Sequence, residues 1–104
     1  MTSLDNRERA FEDKFARDAA LAFQVMARRN KLVGLWAAGL LGKTAEEAVD
    51  FAKEVVASDF DEPGEEDVFR KLNNDLAGTA DEAQIRDAMA TSMIEARRQI
   101  MDAG

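Results

Sequence analysis

LVGLWAAGLL, residues 32–41, is the longest strongly apolar run in the chain, and its length decides the reading of the rest. A membrane-spanning helix needs about 20 apolar residues, so this run predicts a buried helix rather than a span. A central helix of a bundle is apolar around much of its circumference, which describes residues 21–41. Gly42, directly after the run, supplies a helix stop.

Downstream, three shorter helical patterns follow. Thr44 with Glu47 three residues on forms a capping box, and Ala48, Phe51, Ala52, Val55 and Val56 make the apolar stripe behind it. The Pro63-Gly64 turn predicts the start of a third helix, with Val68, Phe69, Leu72 and Leu76 as its stripe and Gly78 as its stop. Thr79 with Glu82 predicts a second capping box, opening a fourth helix with Ile85, Met89, Met93, Ala96 and Ile100 on one side. One proline, no tyrosine and little β-branched patterning leave no material for a sheet. The predicted class is all-α: a four-helix bundle with an overlong first helix or a projecting N-terminal arm, in a single domain of residues 1–104.

The first helix is the anomaly. Asp5 with Glu8 provides a plausible cap, and no glycine or proline intervenes before Gly34. Residues 5–42 as one helix would measure about 57 Å, roughly twice the length of its neighbours. Residues 1–18 therefore read as an arm, frayed or folded back when free, and residues 19–104 as the bundle. The arm is dense in charge, with Phe11 and Phe15 its large apolar groups at i and i+4. That spacing suits a helix laid into a partner's groove, and equally a pair packed on the arm's own bundle.

Composition narrows the function. The chain has no cysteine and no histidine, which removes disulfides, thiolate and imidazole metal sites, cysteine nucleophiles and the commonest general base. A conventional enzyme is unexpected. The net charge is −7, distributed as +2 over residues 1–42 and −9 over residues 43–104. An acidic total argues against general nucleic-acid binding and for a protein partner. The polar N-terminus, carrying both charge signs, reads as neither a secretory signal nor a transit peptide.

Three further features have ordinary readings. Asp59-Phe60-Asp61-Glu62-Pro63-Gly64 imitates the start of a calcium loop, but Pro63 and Arg70 occupy the fifth and twelfth ligand positions, and the acids read instead as a helix N-terminal decoration. Arg28, Arg29 and Lys31 read as ion-pairing partners of the acidic second half rather than a phosphate site. Trp36 reads as core, while Gly34 and Gly39 inside a helix pattern point to close helix approach.

The blocks RERAFEDKFARD (residues 7–18), ARRNKLVGLWAAGLLG (27–42), EEAVDFAKEVVASDF (46–60), EEDVFRKL (65–72) and QIRDAM (84–89) together resemble the ATPase inhibitor subunit zeta family of alphaproteobacterial F-type ATP synthases. The resemblance is nearly full-length. It implies a non-enzymatic four-helix protein of the cytoplasm, peripheral on the inner membrane when bound to the F1 head. Its N-terminal segment would wedge between catalytic alpha and beta subunits against the gamma rotor and block ATP hydrolysis. Transferred residue by residue, the inhibitory segment is Asp5, Arg7, Glu8, Arg9, Phe11, Glu12, Lys14, Phe15 and Arg17. Ala19-Ala20, Gly39 and Leu76 depart from the family's usual residues. No cofactor is implied; weak adenine-nucleotide binding is suspected of some relatives, and no residue of this sequence locates such a site. The other readings are a helical adaptor with a different partner and a small nucleotide sensor.

Overall fold

A computed structural model describes residues 2–59 and 65–103, with side chains described for 18–59 and 65–102. Among the described residues the chain is all-helical: α1 Thr2–Leu40, α2 Ala45–Ser58, α3 Glu66–Asp75 and α4 Glu82–Ala103. The helix α1 is unbroken over its 39 residues, and the molecule's longest extent is 63 Å. Its backbone is thus neither frayed nor folded back on the bundle. Asp5 lies inside α1 and does not cap it, because residues 2–33 contain no glycine or proline to interrupt a helix that begins further upstream.

The end of α1 is where the sequence places it. Gly42 takes φ +71°, a left-handed conformation that costs a residue without Cβ little. Around it the Lys43 N–H donates to the Ala38 carbonyl at 3.1 Å and the Gly42 N–H to the Gly39 carbonyl at 3.2 Å, the paired bonds of a Schellman termination. The chain re-enters helix at once through the predicted box. Thr44 Oγ1 accepts from the Glu47 N–H at 3.2 Å, and the Thr44 N–H donates to Glu47 Oε1 at 2.9 Å.

Antiparallel packing on both flanks of α1 follows from this turn and from the contacts of α4. Towards its C-terminus α1 meets the middle of α2, where Gly34 sits against Ala52 and Val55. Further back, Asn30 reaches Asp59 at the end of α2, and Arg28 reaches Gln99 near the end of α4. The core combines Val33, Ala37 and Ala38 of α1 with Phe51 and Val55 of α2, Val68 and Leu72 of α3, Leu76, and Ile85 and Met89 of α4. The α4 positions buried on the inner side are Ile85, Met89, Ser92 and Ala96, an alternating four-three spacing that suits near-parallel helix packing. Met93 and Ile100 are half-buried beside them.

Several expectations are corrected. α4 is capped by Asp81 and Gln84, not by Thr79 and Glu82: the Gln84 N–H donates to Asp81 Oδ1 at 2.8 Å, and the Asp81 N–H to Gln84 Oε1 at 2.9 Å. Gly78, at φ +82°, turns the chain so that the N–H groups of Thr79 and Ala80 both reach the Leu76 carbonyl, and helix cannot begin until that turn is complete. Trp36 is half-buried on the edge of the core, over a cleft it shares with Ala88, Thr91 and Ser92, rather than central. Pro63 and Gly64 lie outside the described residues, and α3 itself begins at Glu66 after an N-cap at Glu65 that makes no side-chain capping bond.

The two helical glycines differ in kind. A Cβ on Gly34 would stand 2.9 Å from the Ala52 Cα, so the absent side chain is what lets α1 and α2 approach; Gly39 has nothing within 4 Å. Gly34→Ala should therefore destabilise the fold by about 1–3 kcal/mol through forced separation of the helices. Gly39→Ala should stabilise it by up to about 1 kcal/mol through helix propensity. Urea denaturation of both variants checks the opposite signs.

Candidate interaction site: the α1 extension and its root

Among the described residues, the contacts of α1 with the bundle lie in its C-terminal half. On one flank α2 ends at Ser58, opposite Asn30; on the other, Gln99 of α4 meets Arg28 four residues before that helix ends. Past these contacts Asp18, Ala19, Ala20, Ala22, Phe23 and Gln24 are exposed and Leu21 is half-buried. From Thr2 to Gln24 the helix extends for about 35 Å at 1.5 Å per residue. All nine sequence-predicted site residues, Asp5, Arg7, Glu8, Arg9, Phe11, Glu12, Lys14, Phe15 and Arg17, fall on this extension, brought together by one continuous helix. Their side chains lie outside the described residues. By register Phe11 and Phe15 stand one turn apart.

A buried polar network holds the root of the extension. Arg29 is 2% exposed and Asn30 1% exposed. The Arg29 Nε–H donates to Asn30 Oδ1 at 2.6 Å, and Asn30 Nδ2 donates to Asp59 Oδ2 at 2.9 Å. The guanidinium also lies 3.9 Å from Asp59 and 3.5 Å from Glu65, so one side chain ties α1 to both sides of the α2–α3 connection. The basic cluster thus divides: Arg29 takes carboxylates as the sequence suggested, Arg28 donates to the Gln99 amide at 2.6 Å, and Lys31 is exposed. Asn30 and Asp67, both buried, were not singled out by sequence reasoning. Polar residues within apolar-periodic segments were the only available signal.

Asp59 is engaged by this network, whereas Phe60, Asp61, Glu62, Pro63 and Gly64 of the calcium-like stretch lie outside the described residues. No group of three or more carboxylates among the described residues is placed to hold a metal ion. Nor is any described helix long and apolar enough to cross a membrane.

Titration behaviour belongs to caps and ion pairs. Glu47 is held below the usual carboxylate range by the Thr44 backbone and hydroxyl, Glu66 by Arg86, and Glu95 is lowered to about 2 by Arg98 and Gln99. A carboxyl whose pKa is depressed on folding adds stability above its unfolded pKa and loses it as pH falls through the folded value. With no imidazole in the chain, the melting temperature should be nearly flat from pH 5.5 to 8. It should fall progressively below about pH 4.5, where these glutamates begin to protonate in the unfolded chain, as pH drops towards their lower folded values. Thermal scans by circular dichroism across that range check the shape.

The α1/α2 seam carries two hollows that share Val56 in their linings. One of about 120 Å³ lies at the root, among Phe23, Met26, Ala27, Asn30, Val56 and Asp59. The other, a groove of about 540 Å³, runs between Lys31, Leu35, Val49, Ala52, Lys53 and Val56.

Comparison with known proteins bears on all of this. The family model described as ATPase inhibitor subunit zeta matches residues 1–99. A chain whose structure was solved by solution NMR is 49% identical, with a TM-score of 0.74, over 79% of this chain and 96% of that one. The comparison with curated proteins gives no match.

Proposed function

The chain belongs to the ATPase inhibitor subunit zeta family, and from that premise we propose that its α1 extension is the inhibitory element of a non-enzymatic brake on the rotary ATP synthase. Family membership supports an ATPase-inhibitor role and association with the synthase. The finer reading is that residues 1–18 insert at a catalytic alpha/beta interface of the F1 head, against the gamma rotor, while the bundle remains outside. The observation that carries it is the unbroken α1, whose helical backbone runs on from the bundle residues through to Thr2.

The physical logic is steric and state-selective. Hydrolysis requires each catalytic interface to open and close in turn, and a helix lodged in one conformation of the interface stabilises that conformation over the others. Arg29 and Asn30 matter here because a wedge transmits resistance only if its root is fixed to a body too large to follow it. Two phenylalanines one turn apart supply apolar burial, and the surrounding charges of both signs suit the polar rim of such a groove. The reading places the protein on the cytoplasmic face of the inner membrane, bound to alpha, beta and gamma subunits, with no nucleic acid and no cofactor of its own.

The test is ATP hydrolysis by purified F1 from the same organism. The full chain should inhibit, and a chain lacking residues 1–18 should retain the bundle's circular dichroism spectrum and fail to inhibit. Full inhibition by the truncated chain would remove the arm from the mechanism.

A further inference from the structure

The groove between α1 and α2 has an apolar floor and two unused positive charges at its rim. Leu35, Val49, Ala52 and Val56 form the floor, and Val49 is 48% exposed. Lys31 and Lys53 flank it. In a chain of net charge −7 half of the ten basic side chains in residues 19–104 find carboxylates: Arg29, Arg70, Lys71, Arg86 and Arg98 all form ion pairs. Lys31 and Lys53 form none among the described residues. Val56 also lines the hollow beside Phe23, which is 59% exposed where α1 leaves the bundle. An apolar, lysine-edged groove therefore lies between α1 and α2 on the body of the protein.

We propose that this seam is a second docking site, which takes a segment of the ATPase that is apolar on one side and carries carboxylates along its edges. The assignment of the partner rests on the inhibitory reading above, which brings the body of the protein to the ATPase. The chemistry excludes other occupants. A second copy docked patch to patch would bring the same lining, which holds both lysines and no carboxylate to pair with them. An anionic membrane is ordinarily held by about 4–8 basic residues, against two here on an acidic body. A segment bearing carboxylates satisfies both lysines and covers the floor. Its effect is to hold the body against the head, so that an arm that slips out re-enters at high effective concentration.

The charge-reversed double variant Lys31→Glu with Lys53→Glu tests the site, because both side chains are free of internal ion pairs and the arm is untouched. Titrated into F1 from the same organism at low salt, it should bind about 10-fold or more weakly than the unaltered chain, with maximal inhibition at saturation and melting temperature retained. Equal affinity would overturn the groove while leaving the inhibitory reading standing. Failure of the unaltered chain itself to bind or inhibit would overturn both. A second readout uses the absence of cysteine in the natural chain: Val49→Cys gives a unique attachment point for a maleimide photo-crosslinker. Crosslinking in the presence of F1 should map to a stretch of an ATPase subunit rich in Asp and Glu. Capture of a second copy of this chain, of a stretch without carboxylates, or of nothing would overturn the assignment.

Discussion

Phe11→Ala combined with Phe15→Ala is expected to raise the concentration needed for half-maximal inhibition of ATP hydrolysis by at least about 100-fold, since each buried phenylalanine removed costs about 1.5–3 kcal/mol of burial. The same double variant should leave the bundle's melting temperature within a few degrees of the original. The two effects separate because of where the positions fall on α1. Both lie on the N-terminal part of α1, well before Arg28 and Asn30, which bond to α4 and to the end of α2. An isolated helix of that length is marginal in water, so its local opening is expected to cost little and not to propagate into the core. Ordering it inside a partner carries an entropic cost, and the two aromatic rings are the large apolar groups available to offset it. Hydrolysis assays with F1 and calorimetry on the free chain make the comparison. A double variant whose stability falls in parallel with its inhibition would place both rings in the protein's own core.

What could be read from the sequence was what local hydrogen bonding decides. The Gly42 stop and the Thr44–Glu47 box each involve residues within five positions of one another, and both form as their sequence signatures predict. The fourth helix shows how a local rule fails. Thr79–Glu82 and Asp81–Gln84 both fit the capping template, and the choice between them depends on the turn at Gly78, which uses the Thr79 and Ala80 donors first. Periodicity located the buried stripes but not their limits. Trp36 sits in an apolar run yet meets the edge of α4 rather than the centre of the core. The α1/α2 groove could not be anticipated, because it exists only once two helices have been set side by side at the distance Gly34 permits. The candidate inhibitory residues came from family resemblance.

The least legible feature carries the other large expected effect. Pairing of Arg29 with the acidic second half was expected from the sequence, but not its burial: the guanidinium is buried and bridges Asp59 and Glu65, partners 30 and 36 positions away in sequence. Removing one member of a buried ion pair leaves the other desolvated, which typically costs about 3–5 kcal/mol, far more than loss of an exposed pair. Arg29→Met keeps much of the packing volume and removes the charge, so it is expected to destabilise the fold by about 3 kcal/mol, largely through Asp59. Asp59→Asn, introduced together with it, removes the stranded charge and should recover about half of that loss. Arg28→Met, which removes a single bond to Gln99, and Lys31→Met, which removes no described bond, should each shift stability by less than about 1 kcal/mol. Urea titration of the four chains forms the comparison. Near-equal costs at positions 28, 29 and 31 would mean that the cluster is a solvated face after all. The expected order ties the network to function, because Arg29 fixes α1 to the bundle at the root of the arm. At a temperature where Arg29→Met is still folded, its weakened root should lower inhibition more than its residual stability alone would predict, whereas Arg28→Met should inhibit normally.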